Sequence, residues 1–407
     1  MYATVGVRPM NEDRSWARLV AEGIDRHWDQ VVSTRHCLHA HPELSFEEVE
    51  TTRHISSVLE RAGIRHSLGP LETGLVAEVG SGEVVLGLRA DIDAINVQED
   101  TGVPFSSQFP GKMHACGHDA HAAMLLGTAL VLRDLQNRLP GRVRMVFQPA
   151  EEANPSGGRL MVEKGFLDQE PKMRELYALH LQPSLPLGSI GVKAGTFLAS
   201  SDGIDLRILG RSGHAATPHE AVDAIALSAQ VINALQSIVS RCLNPMRPVV
   251  LSFGIIRGGT RHSVIASQVE LLGTLRCIDS ETRERALALI PQVAQSVVAG
   301  FGGAVEVTVR PSQPVTRNDV DCVERVVRAA TAALGANSIV RMEEATMGAE
   351  DFSRFAERVP AAISWLGTRV GDEAAPLHSP KMSFPEEAMI SGIRLFAHIV
   401  ADFFGLS

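Results

Sequence analysis

Between residues 113 and 121 the chain reads Met-His-Ala-Cys-Gly-His-Asp-Ala-His, so three imidazoles, a thiol and a carboxylate fall within nine consecutive positions. An apolar, helix-forming run follows at once over 122–132. Side chains of these types, so closely spaced, suit either a metal site or a reactive thiol paired with an imidazole. Glu151-Glu152, His180, His214 and His378, further along the chain, bear on that choice.

A chain of 407 residues is long for one core, so two domains are expected. Hydrophobic content of 45% and charged content of 21% are those of a globular protein. The net charge is −9 and no basic run stands out, which argues against nucleic acid as a partner. The first 14 residues show no apolar core followed by small residues, so no secretion leader is read and a cytoplasmic protein is expected. No apolar run is long enough to span a bilayer, and no membrane partner is expected. Five cysteines, an odd number scattered along the chain, do not read as a disulfide framework. Cys37, Cys242, Cys277 and Cys322 sit among apolar neighbours and read as inert core residues, whereas Cys116 has titratable neighbours.

The pattern is helical over 13–63, interrupted near Pro42, and His36, His39 and His41 read as residues of a helix C-terminus. Short apolar strands follow at 75–79 and 84–88, the second running into Arg89-Ala90-Asp91-Ile92-Asp93. A buried strand ending in charge is typical of the carboxyl edge of an α/β sheet. Asp91 is read as orienting a ligand histidine by accepting its other N–H. The strand expected at 142–148 ends in Pro149-Ala150-Glu151-Glu152, and the one at 176–181 carries His180. From about residue 196 the order becomes strand, helix, strand, strand, helix, strand, that of a ferredoxin-like α+β domain. α/β patterning then resumes, with a helix over 320–334, a strand over 361–366 leading to His378, and an amphipathic helix over 385–404. The fold class is therefore α/β, with residues 1–195 and 311–407 forming one domain and 196–310 an insertion.

Nitrogen, sulfur and oxygen donors on Cys116, His118, Glu152, His180 and His378 suit divalent cations, and a thiolate can be shared between two of them. Two such ions would polarise an amide oxygen and acidify a bridging water. Glu151, beside a ligand but not one itself, is then the candidate general base. Within the insertion, His214 stands between glycine-bearing turns and is a candidate donor to an oxyanion. Arg276 offers a fork that matches a substrate carboxylate.

These motifs resemble those of the aminoacylase, hippurate hydrolase and auxin-conjugate amidohydrolase group, within the two-metal peptidase family that includes glutamate carboxypeptidase. The matching pieces are Leu38-His39, Pro42-Glu43-Leu44-Ser45, Arg89-Ala90-Asp91-Ile92-Asp93-Ala94, His114-Ala115-Cys116-Gly117-His118-Asp119, Pro149-Ala150-Glu151-Glu152, Gly213-His214-Ala215, Gly348-Ala349-Glu350-Asp351-Phe352 and His378-Ser379-Pro380. They span nearly the whole chain in the family's order. The resemblance implies a phosphorylase/hydrolase-like catalytic domain with an inserted lid that also dimerises, giving a homodimer or a tetramer built of dimers. It implies two divalent ions per subunit, zinc first and manganese or cobalt as alternatives. Cys116 would bridge them, Glu152 and His378 completing one site, His118 and His180 the other. Glu151 would be the general base, and His214 would reach a neighbouring subunit's site. The expected reaction is hydrolysis of N-acyl amino acids or related small amides, with Arg276, Ser263 and Gly348 as substrate-binding positions. Ser263 stands where the family usually carries asparagine, so the substrate carboxylate is expected to be held differently. Two other readings compete: a hydrolase with Cys116 as nucleophile, and a binding protein that keeps the fold without catalysis.

Overall fold

The computed structural model describes residues 15–406 of the 407. Residues 1–14, read above for a leader and for the start of the first helix, lie outside the described residues. The large sheet has eight strands in the spatial order Arg65–Leu68, Leu75–Gly80, Arg142–Gln148, Val85–Asp91, Met173–Pro186, Ala361–Arg369, Ile190–Val192 and Ile339–Arg341. Its centre is parallel: Val85–Asp91 runs between Arg142–Gln148 and Met173–Pro186, and Ala361–Arg369 lies parallel to Met173–Pro186. Four parallel strands therefore present their carboxyl ends on one edge, where loops can gather a site.

Alternate residues of these strands enter two cores. Leu86, Leu88 and Ala90 face the same side as Tyr177, Leu179 and Leu181, against the helices Trp16–Ala40, His118–Asp134, Val320–Leu334 and Glu387–Phe404. Val85, Ala178, Ile363 and Trp365 face the other side, with Phe166, Phe352 and Phe355. Burial on both faces explains why these strands read as unbroken apolar runs. The helix His118–Asp134 is buried from His118 to Leu132, as its uniformly apolar body requires. Gly127 lets it approach its neighbours: a Cβ there would lie 2.7 Å from both Ile393 Cδ1 and Val31 Cγ2.

Ser200–Leu209, Val249–Gly258, Gln268–Cys277 and Ala304–Gln313 form a second, four-stranded antiparallel sheet. The spatial order places the fourth strand beside the first and the third between the first and second, the ferredoxin-like arrangement. The helices Ala224–Ser237 and Ser280–Ala299 cover one face, enclosing Ile204, Leu206, Leu271, Leu275, Val231 and Ile290 in a separate core. The fold is thus α/β with an inserted α+β domain. A short pair, Gly195–Leu198 with Thr316–Asn318, links the two parts.

Several short strands, including Arg65–Leu68, Ile190–Val192 and Ile339–Arg341, escaped the sequence reading because three or four residues carry too little periodicity. The expectation that Cys242 is a core residue is corrected. It is exposed, in the π-helical turn Ile238–Cys242 that ends a surface helix, while Cys277 and Cys322 are buried and Cys37 is half-buried. All five cysteines are free thiols. No helix of the described residues is long and apolar enough to cross a membrane.

Valine in place of Gly127 is expected to destabilise the protein by about 1–3 kcal/mol, because the added methyls have no room between the two neighbouring helices. The measurement is the urea midpoint. An unchanged midpoint would show that the helix crossing does not depend on this close approach.

Candidate metal centre

The parallel strands and the loops after them bring Cys116, His118, Glu151, Glu152, His180 and His378 to one place. Ligand-type atoms of Cys116, His118 and His180 lie within 4.8 Å of one another, as do those of Cys116, Glu152 and His378 and those of His118, Glu151 and Glu152. The thiol is the common member of two of these groups. Cys116 Sγ is 3.5 Å from His180 Nε2 and 3.3 Å from His378 Nε2, and His378 Nε2 is 3.0 Å from Glu152 Oε1.

Local backbone geometry produces this convergence. Gly117 adopts φ +85° before the helix starting at His118, and a Cβ there would sit 2.5 Å from Leu181 Cδ1. The turn therefore places Cys116 and His118 on the site side while packing its bare α-carbon against the neighbouring strand. Ala150 (φ +57°) and His378 (φ +63°) also occupy the left-handed region without being glycine. Such conformations are costly and persist only where surrounding contacts impose them. The His378 N–H donates to the Ala115 carbonyl at 2.8 Å, tying the last candidate ligand to the Cys116 loop.

Hydrogen bonds define which imidazole nitrogens are free. His118 Nδ1 donates to the Asp93 carbonyl at 2.9 Å, so the neutral ring keeps its proton on Nδ1 and its lone pair on Nε2. That Nε2 is buried and has no hydrogen-bond partner among the described residues. His180 Nδ1 donates to the Leu181 carbonyl at 2.8 Å, which in the neutral ring likewise leaves the lone pair on Nε2, facing the thiol. His121 differs: its Nε2 accepts the Leu181 N–H at 3.0 Å and its Nδ1 donates to Asp91 at 2.6 Å, so both nitrogens are used within the protein. With His118 and His180 neutral, their lone pairs and the Glu152 carboxylate are more acceptors than one thiol proton can satisfy. A cation of borderline softness can, so the donor set fits divalent metal ions.

The reading of Asp91 is corrected. Asp91 accepts from His121 and from Arg89 Nη1 at 2.8 Å, whereas its nearer oxygen lies 3.8 Å from His118 Nε2, on the lone-pair side. Asp93 holds the candidate ligands instead: its backbone carbonyl and side chain face His118 Nδ1, and its Oδ2 accepts the Glu152 N–H at 3.1 Å and the Ser45 hydroxyl at 2.7 Å. Asp91 and Asp93 lie at opposite edges of the His118 ring, toward Nε2 and Nδ1 respectively, and no sequence pattern separated their roles.

The electrostatics follow from this crowding. Burial opposes a thiolate at Cys116, but the charge that His180 and His118 carry when protonated outweighs it and brings the thiol down to about 6. Burial and the charges of Glu350, Glu152 and Asp351 push the Glu151 carboxyl well above the usual range. Glu350 and Asp351, part of a motif whose role the sequence did not reveal, are buried beside Glu151, and burial lifts Glu350 to about 8. Glu151 also accepts a long hydrogen bond, 3.4 Å, from the Asp351 N–H.

The positions in the inserted domain lie apart from this cluster. His214 is exposed on a turn, its Nδ1 accepting the Ala216 N–H at 3.0 Å, with Ser263 nearby through the Ala215 N–H to Ser263 carbonyl bond. Arg276 is half-buried and contacts the Thr274 hydroxyl at 3.2 Å. The Gly348 carbonyl accepts the Ala199 N–H at 2.9 Å, at the junction of the two domains. His36, His39 and His41 bond to Glu386, to Asp119 and Glu99, and to the Cys37 carbonyl respectively, away from the thiol. A cavity of about 570 Å³ lined by Cys37, His41, Phe109 and Lys112 contains none of the clustered residues.

Residues 87–402 match the peptidase family M20/M25/M40. The chain is 38% identical to an N-acetylcysteine deacetylase of Bacillus subtilis, over 91% of this chain and 96% of the relative. It is 34% identical to an IAA-amino acid hydrolase of Arabidopsis thaliana, over 92% of this chain and 85% of the relative. A crystal structure of a dinuclear metal-binding M20 peptidase from Bacillus subtilis superposes with a TM-score of 0.80 at 35% identity, covering 94% of this chain and all of the other. With its own donor set gathered at the sheet edge and these matches running nearly end to end, the chain is an amidohydrolase of peptidase family M20/M25/M40.

Proposed function

We propose that this enzyme hydrolyses the amide bond of N-acyl amino acids or closely related small amides, using two divalent ions held by Cys116, His118, Glu152, His180 and His378. The observation that carries the proposal is the convergence of imidazole nitrogens and a carboxylate on a single thiol. Bound ions would supply Lewis acidity toward the amide carbonyl and toward a water. Zinc suits this mixed donor set best, with manganese or cobalt as alternatives. The named activities of the deacetylase and the IAA-amino acid hydrolase support an acylated amino acid as the substrate class.

Glu151 is the general base of this scheme. It lies beside the candidate ligands Glu152 and His118, and burial together with the carboxylates around it makes it a better proton acceptor than an isolated glutamate. It takes a proton from the attacking water and returns it to the leaving nitrogen, the usual division of labour for one carboxylate in amide hydrolysis. Arg276 is the candidate partner of the substrate carboxylate, since a half-buried guanidinium that donates its Nε to the Thr274 hydroxyl has further donors in its fork for a ligand. Ser263 and Gly348 complete the proposed substrate-binding set.

We also infer a homodimer formed through the inserted domain. Val249–Gly258 is an edge strand of its sheet and carries Ile255 and Ile256 exposed at 42% and 59%. An apolar, unpaired strand edge is a ready template for a second copy. His214 would then act across the dimer as a donor to the developing oxyanion.

Exhaustive chelation is expected to abolish hydrolysis of N-acetyl amino acids, and zinc, manganese or cobalt to restore it with a metal content approaching two ions per chain. In the same series, Glu151→Gln should retain the metal while kcat falls by about 10²–10⁴-fold. Turnover that survives complete chelation, with iodoacetamide labelling of Cys116, would replace this reading with a cysteine nucleophile.

Arg276→Ala is expected to raise KM for N-acyl amino acids by about 10–100-fold while changing hydrolysis of the matching carboxyl-amidated compounds little. Equal effects on both series would remove Arg276 from carboxylate recognition.

Ile256→Asp should shift the protein from dimer to monomer in analytical ultracentrifugation, with loss of turnover. A fully active monomer would exclude a part for His214 across subunits.

A further inference from the structure

We propose that Glu48 is a positioning residue for the paired glutamates, acting through the strained peptide of Ala150; this rests on the part assigned to Glu151 above. The motif Pro42-Glu43-Leu44-Ser45 and the residues just after it are far in sequence from every candidate ligand, yet they grip the centre from behind. Ser45 donates to Asp93, which in turn holds His118 and the Glu152 N–H. Glu48 does the same for the other side of the loop. Its side chain is fully buried, with Oε1 accepting the Ala150 N–H at 2.8 Å and Oε2 accepting the Thr73 hydroxyl at 2.8 Å.

A buried carboxylate with a hydroxyl and one backbone N–H as side-chain partners is costly to keep, and burial together with nearby Asp93 raises Glu48 to about 7. What it obtains is control of a residue that would otherwise leave its conformation. Ala150 stands at φ +57°, and its carbonyl accepts the Gly157 N–H at 2.7 Å while its N–H is held by Glu48 from the other side. This left-handed turn sends Glu151 toward Glu350 and Asp351 and Glu152 toward Cys116 and His378. Without the Glu48 acceptor, Ala150 can relax to an ordinary backbone conformation and rotate both carboxylates out of register.

Four zinc-loaded proteins test the proposal: wild type, Glu48→Gln, Glu48→Ala, and Glu48→Ala combined with Ala150→Gly. Each is read by kcat and KM on an N-acetyl amino acid, by metal content, and by amide hydrogen exchange across residues 150–157. Glu48→Ala should lower kcat on the order of 100-fold, with KM and metal content nearly unchanged. Glu48→Gln should stay near wild type, because its amide oxygen accepts the same N–H. Glycine at 150 adopts the left-handed conformation without strain, so the double variant should regain about tenfold in kcat over Glu48→Ala. Exchange over 150–157 should quicken in Glu48→Ala and not in Glu48→Gln. Unimpaired Glu48→Ala, a glutamine variant as poor as alanine, or no gain from glycine would each overturn the proposal. If the wild type hydrolyses none of the substrates, the reading of function falls, and the exchange data alone decide on Glu48: unchanged exchange in Glu48→Ala overturns it.

Discussion

The guanidinium of Arg89 lies at the centre of the catalytic domain with almost no exposure, and the arrangement of the site depends on it. It contacts Asp91 at 2.8 Å, Glu350 at 3.0 Å, Asp351 at 2.8 Å and the Gln148 amide oxygen at 2.9 Å. Three carboxylates cannot be buried together as anions without a compensating cation, and stripping one partner from a buried pair costs about 3–5 kcal/mol. Burial opposes the charge on Arg89, but these neighbours hold it firmly protonated. The same contacts join the ends of two adjacent strands to the segment that carries Glu350 and Asp351, so one side chain sets the floor on which Glu151 stands. Gln148 donates to both oxygens of Asp351, and the Gly158 N–H adds a third bond, which holds that carboxylate back from the candidate metal ligands.

Above this floor, the division between ligand and support is a matter of protons. His118, His121 and His180 are crowded, with His121 and His180 ring centroids 4.7 Å apart, and composition does not distinguish them. The backbone does. Carbonyls at Asp93 and Leu181 take the Nδ1 protons of His118 and His180, and the Leu181 amide takes the remaining lone pair of His121. A single residue, Leu181, thereby exposes one imidazole to a cation and closes off another. The helix that begins at His118 is fixed on its far side by Asp119, which accepts from Arg35 and His39, and Arg35 itself lies 4.0 Å over the Phe384 ring. The first turn of that helix therefore has little room to move when ligands exchange.

The likenesses to the Bacillus deacetylase and the Arabidopsis hydrolase sit well with this chemistry, because neither substrate class named for them needs more of the protein than a polarised amide and a positioned base. The proposed substrate-recognition positions fall in the inserted domain, whose sheet carries Arg276 and whose turns carry His214 and Ser263. Its core is separate from those that flank the large sheet, so the two parts are packed independently.

Much was legible from the sequence alone. The central cluster, the strand ends at Asp91 and Gln148, the strand that carries His180 and the strand–helix order of the insertion follow from residue type and short-range periodicity, although that strand runs on to Pro186 where the sequence reading ended it at 181. The five side chains around the thiol could be named because titratable groups at the ends of apolar strands are uncommon without a use. Tertiary structure alone decided which of two nearby aspartates orients the ligands, which histidine is closed off, and how Glu48 reaches Ala150 across 102 positions of sequence. Those outcomes depend on the direction of single N–H and C=O groups after folding, and residue identity does not encode a direction until the chain is packed.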